Sequence, residues 1–359
     1  MTVNALVLRE VGAPMAVTSV DLRPLGPTDV RVRVAAAGVC HSDLSLARGV
    51  LKQRVPAVLG HEGAGTVADV GSAVTSVAVG ARVLLIWAPP CRQCWFCQAG
   101  EPWLCEHAMD AAGTPYASLD GTPVYPGLGT AAFGTETVVP QESVIEVPDD
   151  VPLDTAALLG CAVLTGFGAI TNTARVRPGD SVLVVGLGGV GLAAVQAARI
   201  AGASPVIAVD PDPGKRALAA RLGASDVLPP DDELAAAVRG CTEGRGVDVA
   251  VECVGRAATI RSSWAMCRRG GHLVIVGIGG KDQEVTWNAL ELFHYGRTIS
   301  GCVYGSTDPA RDVPRLIEHV RSGELDLEAL VSRRIALAEV DSAFADMQAG
   351  HGARALVIH

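Results

Sequence analysis

Two stretches, GVCHSDL at 38–44 and LGHEGAGTVADVG at 59–71, set Cys40, His61 and Glu62 among glycines inside a β-rich apolar region. A thiolate and an imidazole are proper zinc ligands, and a site with three protein ligands keeps a position open for water or substrate. Cys161, in LLGCAVLTGFG, is a third candidate ligand from a distant segment. Taken singly, Cys161 reads as a buried apolar thiol and His61 as a satisfied structural histidine. Periodicity does not bring the segments together. A second group is local: CRQCWFCQAGEPWLC places Cys91, Cys94, Cys97 and Cys105 within fifteen residues. Four thiolates at this spacing close around one tetrahedral zinc, and an iron–sulfur cluster fits the same spacing. Two successive C-x2-C steps are a poor disulfide pattern. If this run holds zinc, it leaves no open coordination position and stabilises a lobe rather than doing chemistry.

The third chemical signal is VLVVGLGGVGLA, with Gly186, Gly188 and Gly191 in G-x-G-x-x-G spacing and Gly189 and Val190 inside the same turn. It lies between a good strand and a good helix, and PVIAVD ends in Asp210 nineteen residues after Gly191. That context predicts dinucleotide binding. The helix N-terminus offers N–H groups to a pyrophosphate, and Asp210 accepts hydrogen bonds from the adenosine ribose. The same carboxylate repels a 2′-phosphate, which favours NAD over NADP.

The elements that must position these groups fall into two styles. Residues 1–150 read as short strands rich in β-branched residues between Gly, Pro and Asp. Around PLDTAALLGCAVLTGFGAITNTARV the pattern turns helical, and from Asp180 strands and helices alternate. Fully apolar short strands between helices predict a mostly parallel, doubly wound sheet covered on both faces. The final apolar segment ARALVIH is expected to rejoin the first domain. DAAGTPYASLDGTPVYPGLGTAAFG is expected as a long loop bordering the substrate site or a subunit contact.

The chain has 359 residues, 49% of them hydrophobic, enough for two cores. A formal charge of −9 without a basic tract makes nucleic acid or an anionic membrane a poor partner. The N-terminus lacks a signal-peptide pattern and no long apolar run is free of breaks, so a reducing cytoplasm is the expected location.

Taken together, GVCHSDL, LGHEGAGTVADVG, CRQCWFCQAGEPWLC, LLGCAVLTGFGA, VVGLGGVG and VIAVDPDPGK resemble the zinc-dependent medium-chain alcohol dehydrogenase family, of the liver type in its long bacterial form, over essentially the whole chain. The resemblance implies a GroES-like β-barrel catalytic domain over 1–165, a Rossmann NAD-binding domain over 166–304, and a return to the catalytic domain over 305–359. It implies an active site in the cleft between domains, two zinc ions per chain and NAD as cofactor. Cys40, His61 and Cys161 match the catalytic zinc ligands, and Cys91, Cys94, Cys97 and Cys105 the structural ones. Glu62 matches a carboxylate that modulates the catalytic metal. Ser42 matches the hydroxyl that takes the substrate proton. His41 and Arg354 match pyrophosphate contacts, and Lys215 a basic residue near the adenosine ribose. Trp87 matches a pocket-lining position that favours a primary or flat aromatic alcohol. Two positions depart from the pattern: Ser45 stands where some relatives carry a relay histidine, and His41 where arginine is common. The implied reaction is hydride transfer between a primary or aromatic alcohol and NAD, in a homodimer or tetramer whose partner is a small alcohol or aldehyde. Two alternatives stand beside it. One is oxidation of an S-hydroxymethyl thiol adduct of formaldehyde, and the other is NAD binding without turnover, in a structural or regulatory protein.

Overall fold

The structure, a computed structural model, describes residues 1–359 and divides into two compact units. The first comprises Met1–Ala162, Asp308–Arg321 and Val331–His359, and the second Val163–Thr307 and Ser322–Leu330. No single helix is long and apolar enough to cross a membrane.

The first unit is β-rich. Its strands in chain order are β1 (Thr2–Leu8), β2 (Ala16–Leu22), β3 (Asp29–Val39), β4 (Ala57–Val58), β5 (Glu62–Val70), β6 (Arg82–Leu85), β7 (Ala117–Leu119), β8 (Thr122–Pro126), β9 (Glu136–Pro140) and β10 (Val144–Glu146). Strands β1, β2, β7, β8 and β4 close into a barrel around a core that includes Leu6, Leu8, Leu59, Tyr116 and Phe133. Beside it a seven-stranded sheet runs β10-β6-β5-β3-β18-β17, with β9 pairing β3; β17 is Val331–Ile335 and β18 is Arg354–Ile358. The final strand β18 lies antiparallel on β3, Ala355 opposite Val39.

The second unit carries a six-stranded parallel sheet in the order β13-β12-β11-β14-β15-β16. Its strands are β11 (Val182–Val185), β12 (Val206–Val209), β13 (Asp226–Leu228), β14 (Val247–Glu252), β15 (Cys267–Ile275) and β16 (Thr298–Gly301). Every residue of β11 and β12 is buried, which is why these strands read as unbroken apolar runs rather than alternating ones. The strand order reverses between β11 and β14, the crevice where doubly wound sheets take ligands.

One expectation needs correcting. The stretch after the cysteine run is not a long loop: Ala117–Leu119 and Thr122–Pro126 pair as a hairpin that contributes two strands to the closed barrel. Its turn residues, Asp120 (φ 51°) and Gly121 (φ 80°), both lie in the left-handed region. Asp-Gly is the dipeptide that such a two-residue hairpin turn selects, and the strands on either side are too short and too proline-rich to register as apolar alternation.

Candidate active site

Antiparallel pairing builds the metal set. Strand β3 ends at Val39 and β5 begins at Glu62, with Gly38 opposite Glu62, so Cys40 and His61 emerge side by side from neighbouring strands. Gly38 explains one of the crowded glycines: a Cβ there would collide with Glu62 Oε2. The third segment arrives where helical backbone breaks. Cys161 (φ −147°, ψ −73°) separates the turn Ala157–Gly160 from the helix Ala162–Gly168. Gly160 admits this corner against β6, where a Cβ would sit 2.6 Å from the Leu85 carbonyl oxygen. One potential ligand atom from each of Cys40, His61, Glu62 and Cys161 then lies within 4.8 Å of the others.

The polar atoms around this set fit a metal ion. His61 is fully buried, and its Nδ1–H donates to Asp43 Oδ1 at 2.9 Å. That fixes the tautomer and turns Nε2, which has no hydrogen-bond partner, toward the ligand set. Burial works against a charged His61, but the Asp43 and Cys40 charges outweigh it and hold its pKa well above the usual histidine value. Cys40 is held low, first by the Cys161 hydrogen bond, while Cys161 is pushed up by the same pairing and by burial. Glu62 Oε2 has no partner either. Glu62 Oε1 accepts from the Ala162 N–H at 3.2 Å and faces Arg354 Nη2 at 3.3 Å. Burial raises the Glu62 carboxyl to about 7 despite the guanidinium.

Asp43 is the residue that sequence reasoning missed. It sits in the first turn of the helix His41–Ala47, where its Oδ2 accepts from the Cys40 N–H at 3.2 Å and its Oδ1 from the Gly60 N–H at 3.0 Å as well as from His61. One carboxylate thereby orients the backbone beside Cys40 and the ring of His61. The only hint is an acid three residues after a cysteine.

The other site residues fall as follows. Ser42 is half-buried within the first turn of that helix, its Oγ 3.8 Å from Cys40 Sγ; the N-cap position belongs to Cys40, not to Ser42. His41 opens the helix and is exposed, and Ser45 is half-buried. Trp87 stands edge-on to His61, ring centroids 6.3 Å apart. Arg354 enters on β18 beside β3. It is buried, and its Nη1–H donates to the Val39 carbonyl at 2.9 Å, so it belongs with the metal set.

The four-cysteine run forms a separate group, each of its thiols also within 4.8 Å of the others. Backbone N–H groups already point at sulfur: Cys94 donates to Cys91 Sγ at 3.2 Å, and Cys91 donates to Cys105 Sγ at 3.2 Å. Such donors, from Cys97 and Glu106, lower the Cys94 thiol to about 6, a thiolate ready for metal.

In the second unit the glycine turn joins β11 to the helix Gly189–Ile200, with Gly188 as N-cap, Gly189 and Val190 in the first turn, and Gly186 at φ 91°. A Cβ on Gly188 would meet nothing within 4 Å, leaving the backbone open to a ligand, whereas one on Gly191 would collide with the Gly186 carbonyl oxygen. Asp210 directly follows β12, buried, with Oδ2 accepting from the Leu187 N–H at 2.8 Å. Lys215 lies in the first turn of the following helix, half-buried. A glycine cradle with an acid locked beside it fits a dinucleotide.

Comparison with known proteins gives the same two-part division. Residues 26–149 match the family described as "Alcohol dehydrogenase GroES-like domain", and residues 189–322 the one described as "Zinc-binding dehydrogenase". The chain is 36% identical over 368 residues to an S-(hydroxymethyl)glutathione dehydrogenase of Synechocystis, covering 99% of this chain and 100% of that one. Among solved structures, an alcohol dehydrogenase zinc-binding domain protein from Burkholderia ambifaria superposes with TM-score 0.94 at 33% identity, over 100% of this chain and 99% of that one. The benzyl alcohol dehydrogenase of Acinetobacter calcoaceticus gives TM-score 0.91 at 30% identity, with the same coverage. With a barrel unit bearing two zinc-competent sets and a parallel-sheet unit bearing a dinucleotide cradle, the chain belongs to the zinc-dependent medium-chain alcohol dehydrogenase family and is an NAD-dependent dehydrogenase.

Proposed function

We propose that the protein oxidises the hydroxymethyl carbon of a thiol–formaldehyde adduct. In that reaction R–S–CH2–OH and NAD+ give the thioester R–S–CHO, NADH and a proton. The observation that carries this reading is full-length similarity, at 36% identity, to relatives named S-(hydroxymethyl)glutathione dehydrogenase. A second reading, oxidation of an aromatic primary alcohol, is favoured by the Trp87 ring beside His61 and by the benzyl alcohol dehydrogenase neighbour.

The chemistry at the carbon is the same in both readings. When bound, zinc at Cys40, His61 and Cys161 acts as a Lewis acid on the substrate oxygen, and NAD accepts the hydride. The protein's own residues do the rest. Asp43 holds the His61 tautomer. Ser42 takes the hydroxyl proton and passes it outward, with exposed His41 beside it in the chain. The Glu62–Arg354 pair balances charge next to the two thiols. Asp210 takes the adenosine ribose and turns away a 2′-phosphate, so NAD is preferred to NADP.

Initial rates of NADH formation decide between the substrates. Formaldehyde plus glutathione, or another low-molecular-weight thiol, is expected to give a kcat/KM well above that of benzyl alcohol. Turnover of benzyl alcohol with none of the adduct overturns the first reading and supports the second.

A further inference from the structure

The carboxyl end of the parallel sheet holds a buried carboxylate that neither metal set uses. Glu252 ends β14, the strand next to β11, and has no exposed surface. Its Oε1 accepts from the N–H groups of Val254 (3.0 Å) and Gly255 (3.0 Å) and from Thr259 Oγ1 (2.7 Å), and its Oε2 accepts from the Gly255 N–H at 3.1 Å. Its carbonyl oxygen accepts from Val276 at 2.8 Å and Gly277 at 2.9 Å, the first residues beyond β15. A buried carboxylate is costly unless satisfied. Here burial pushes its pKa up, and these donors act in the other direction.

What the carboxylate holds is the turn 253–255, wedged between two others. A Cβ on Gly186, the first fingerprint glycine, would lie 2.6 Å from Val254 Cγ2. A Cβ on Gly255 (φ 81°) would lie 2.6 Å from the Ile278 carbonyl carbon, and one on Gly277 would collide with the Gly255 nitrogen. The turns that follow β11, β14 and β15 therefore meet at backbone distance, and Glu252 ties down the middle one.

Their place in the sheet says what lies over them. A dinucleotide lies across the carboxyl ends of the strands at the point where their order reverses, here between β11 and β14. Asp210, directly after β12, sets the adenosine ribose on one side of that point, and the glycine turn after β11 takes the pyrophosphate. The nicotinamide half is left to the turns after β14 and β15. We infer that Glu252 is a positioning residue for the nicotinamide half of the cofactor, acting through the 253–255 turn and touching no reacting atom. This rests on NAD use alone, not on which alcohol is oxidised.

The test compares two ligands on the zinc-loaded enzyme. NADH needs the turn, and ADP-ribose, which lacks the nicotinamide, does not. Glu252→Ala is expected to raise the dissociation constant of NADH roughly tenfold, the scale of a lost hydrogen bond to a charged group, and that of ADP-ribose less than about twofold. KM for NAD should rise more than kcat falls, and Glu252→Gln, which keeps one acceptor oxygen, should recover part of the loss. If Glu252→Ala does not fold, Glu252→Gln and Thr259→Val carry the same comparison, with a smaller rise confined to NADH. Equal weakening of both ligands, or no weakening of NADH in the folded variants, overturns the assignment.

Discussion

The first unit contains two sulfur-rich groups that differ in almost every physical respect. Cys91, Cys94, Cys97 and Cys105 come from one fifteen-residue run, three of them partly exposed, with backbone N–H groups supplying the bonds to sulfur. Cys40, His61 and Cys161 come from three segments spread over more than a hundred residues and are all buried. They are surrounded by ionisable groups whose balance is unfinished, with His61 Nε2 and Glu62 Oε2 lacking partners. A closed four-thiolate shell needs only a local turn to form it and can contribute folding energy directly. An open site needs a rigid, desolvated frame that tolerates unsatisfied groups because a ligand will complete them. Around the second group stand a hydroxyl, Ser42, an indole, Trp87, and a buried guanidinium, Arg354.

Substitutions should separate the two groups by kind of effect. The largest loss is expected for His61→Ala: alcohol oxidation should fall roughly 10³-fold or more as Lewis-acid stabilisation is lost, with the far-UV circular dichroism spectrum retained. Ser42→Ala comes next. Single-turnover NADH formation should drop about 10²-fold, the scale of general acid–base assistance, while zinc and NADH binding are kept. An unchanged transfer rate would remove Ser42 from the reaction. Cys94→Ser should do the opposite of His61→Ala: soluble yield and melting temperature fall, but kcat per folded molecule holds. A variant that kept its melting temperature and lost its turnover would blur the distinction between the groups.

The smallest effect sharpens how the cysteine lobe is anchored. Arg92, inside the run, makes a bidentate pair with Asp308 at 2.6 Å for each bond. The Arg92 hydrogen bond holds the Asp308 carboxyl below the usual aspartate value, and burial only partly opposes it. A depressed carboxylate pKa contributes stability that is fully present above the unfolded value of about 4 and is lost as pH falls through the folded one. Because Arg92 is 49% exposed, that contribution is about 0.5–1 kcal/mol. Thermal melts of Asp308→Asn should lie slightly below the unaltered protein at pH 7 and converge with it toward pH 3.

The same contrast explains what could be read from the chain alone. The four-cysteine run and the glycine turn are legible because their geometry is set within one turn or one strand–turn–helix unit. The run's spacing alone left zinc and an iron–sulfur cluster both open. Cys40, His61 and Cys161 carry no such local geometry. Pairing of β3 with β5 and the break at Cys161 unite them, and from the sequence only family resemblance joins them. Asp43 escaped notice because its importance lies in burial and in three simultaneous bonds, none of which leaves a spacing. The hairpin at Asp120–Gly121 was hidden by strands of three and five residues, too short to show alternation beside a strong turn signal. Arg354 illustrates the reverse case: β18 returning onto β3 buries it against Glu62, a contact between residues nearly three hundred positions apart.

One chain is expected to hold two zinc ions, one in each sulfur-rich group, with only the ion at Cys40, His61 and Cys161 serving the reaction. Elemental analysis of the purified, active protein tests it most directly. Two zinc ions per chain are expected, falling to one in His61→Ala with the fold intact. Fully active protein holding one zinc or none, or iron in place of zinc at the four-cysteine run, would contradict it.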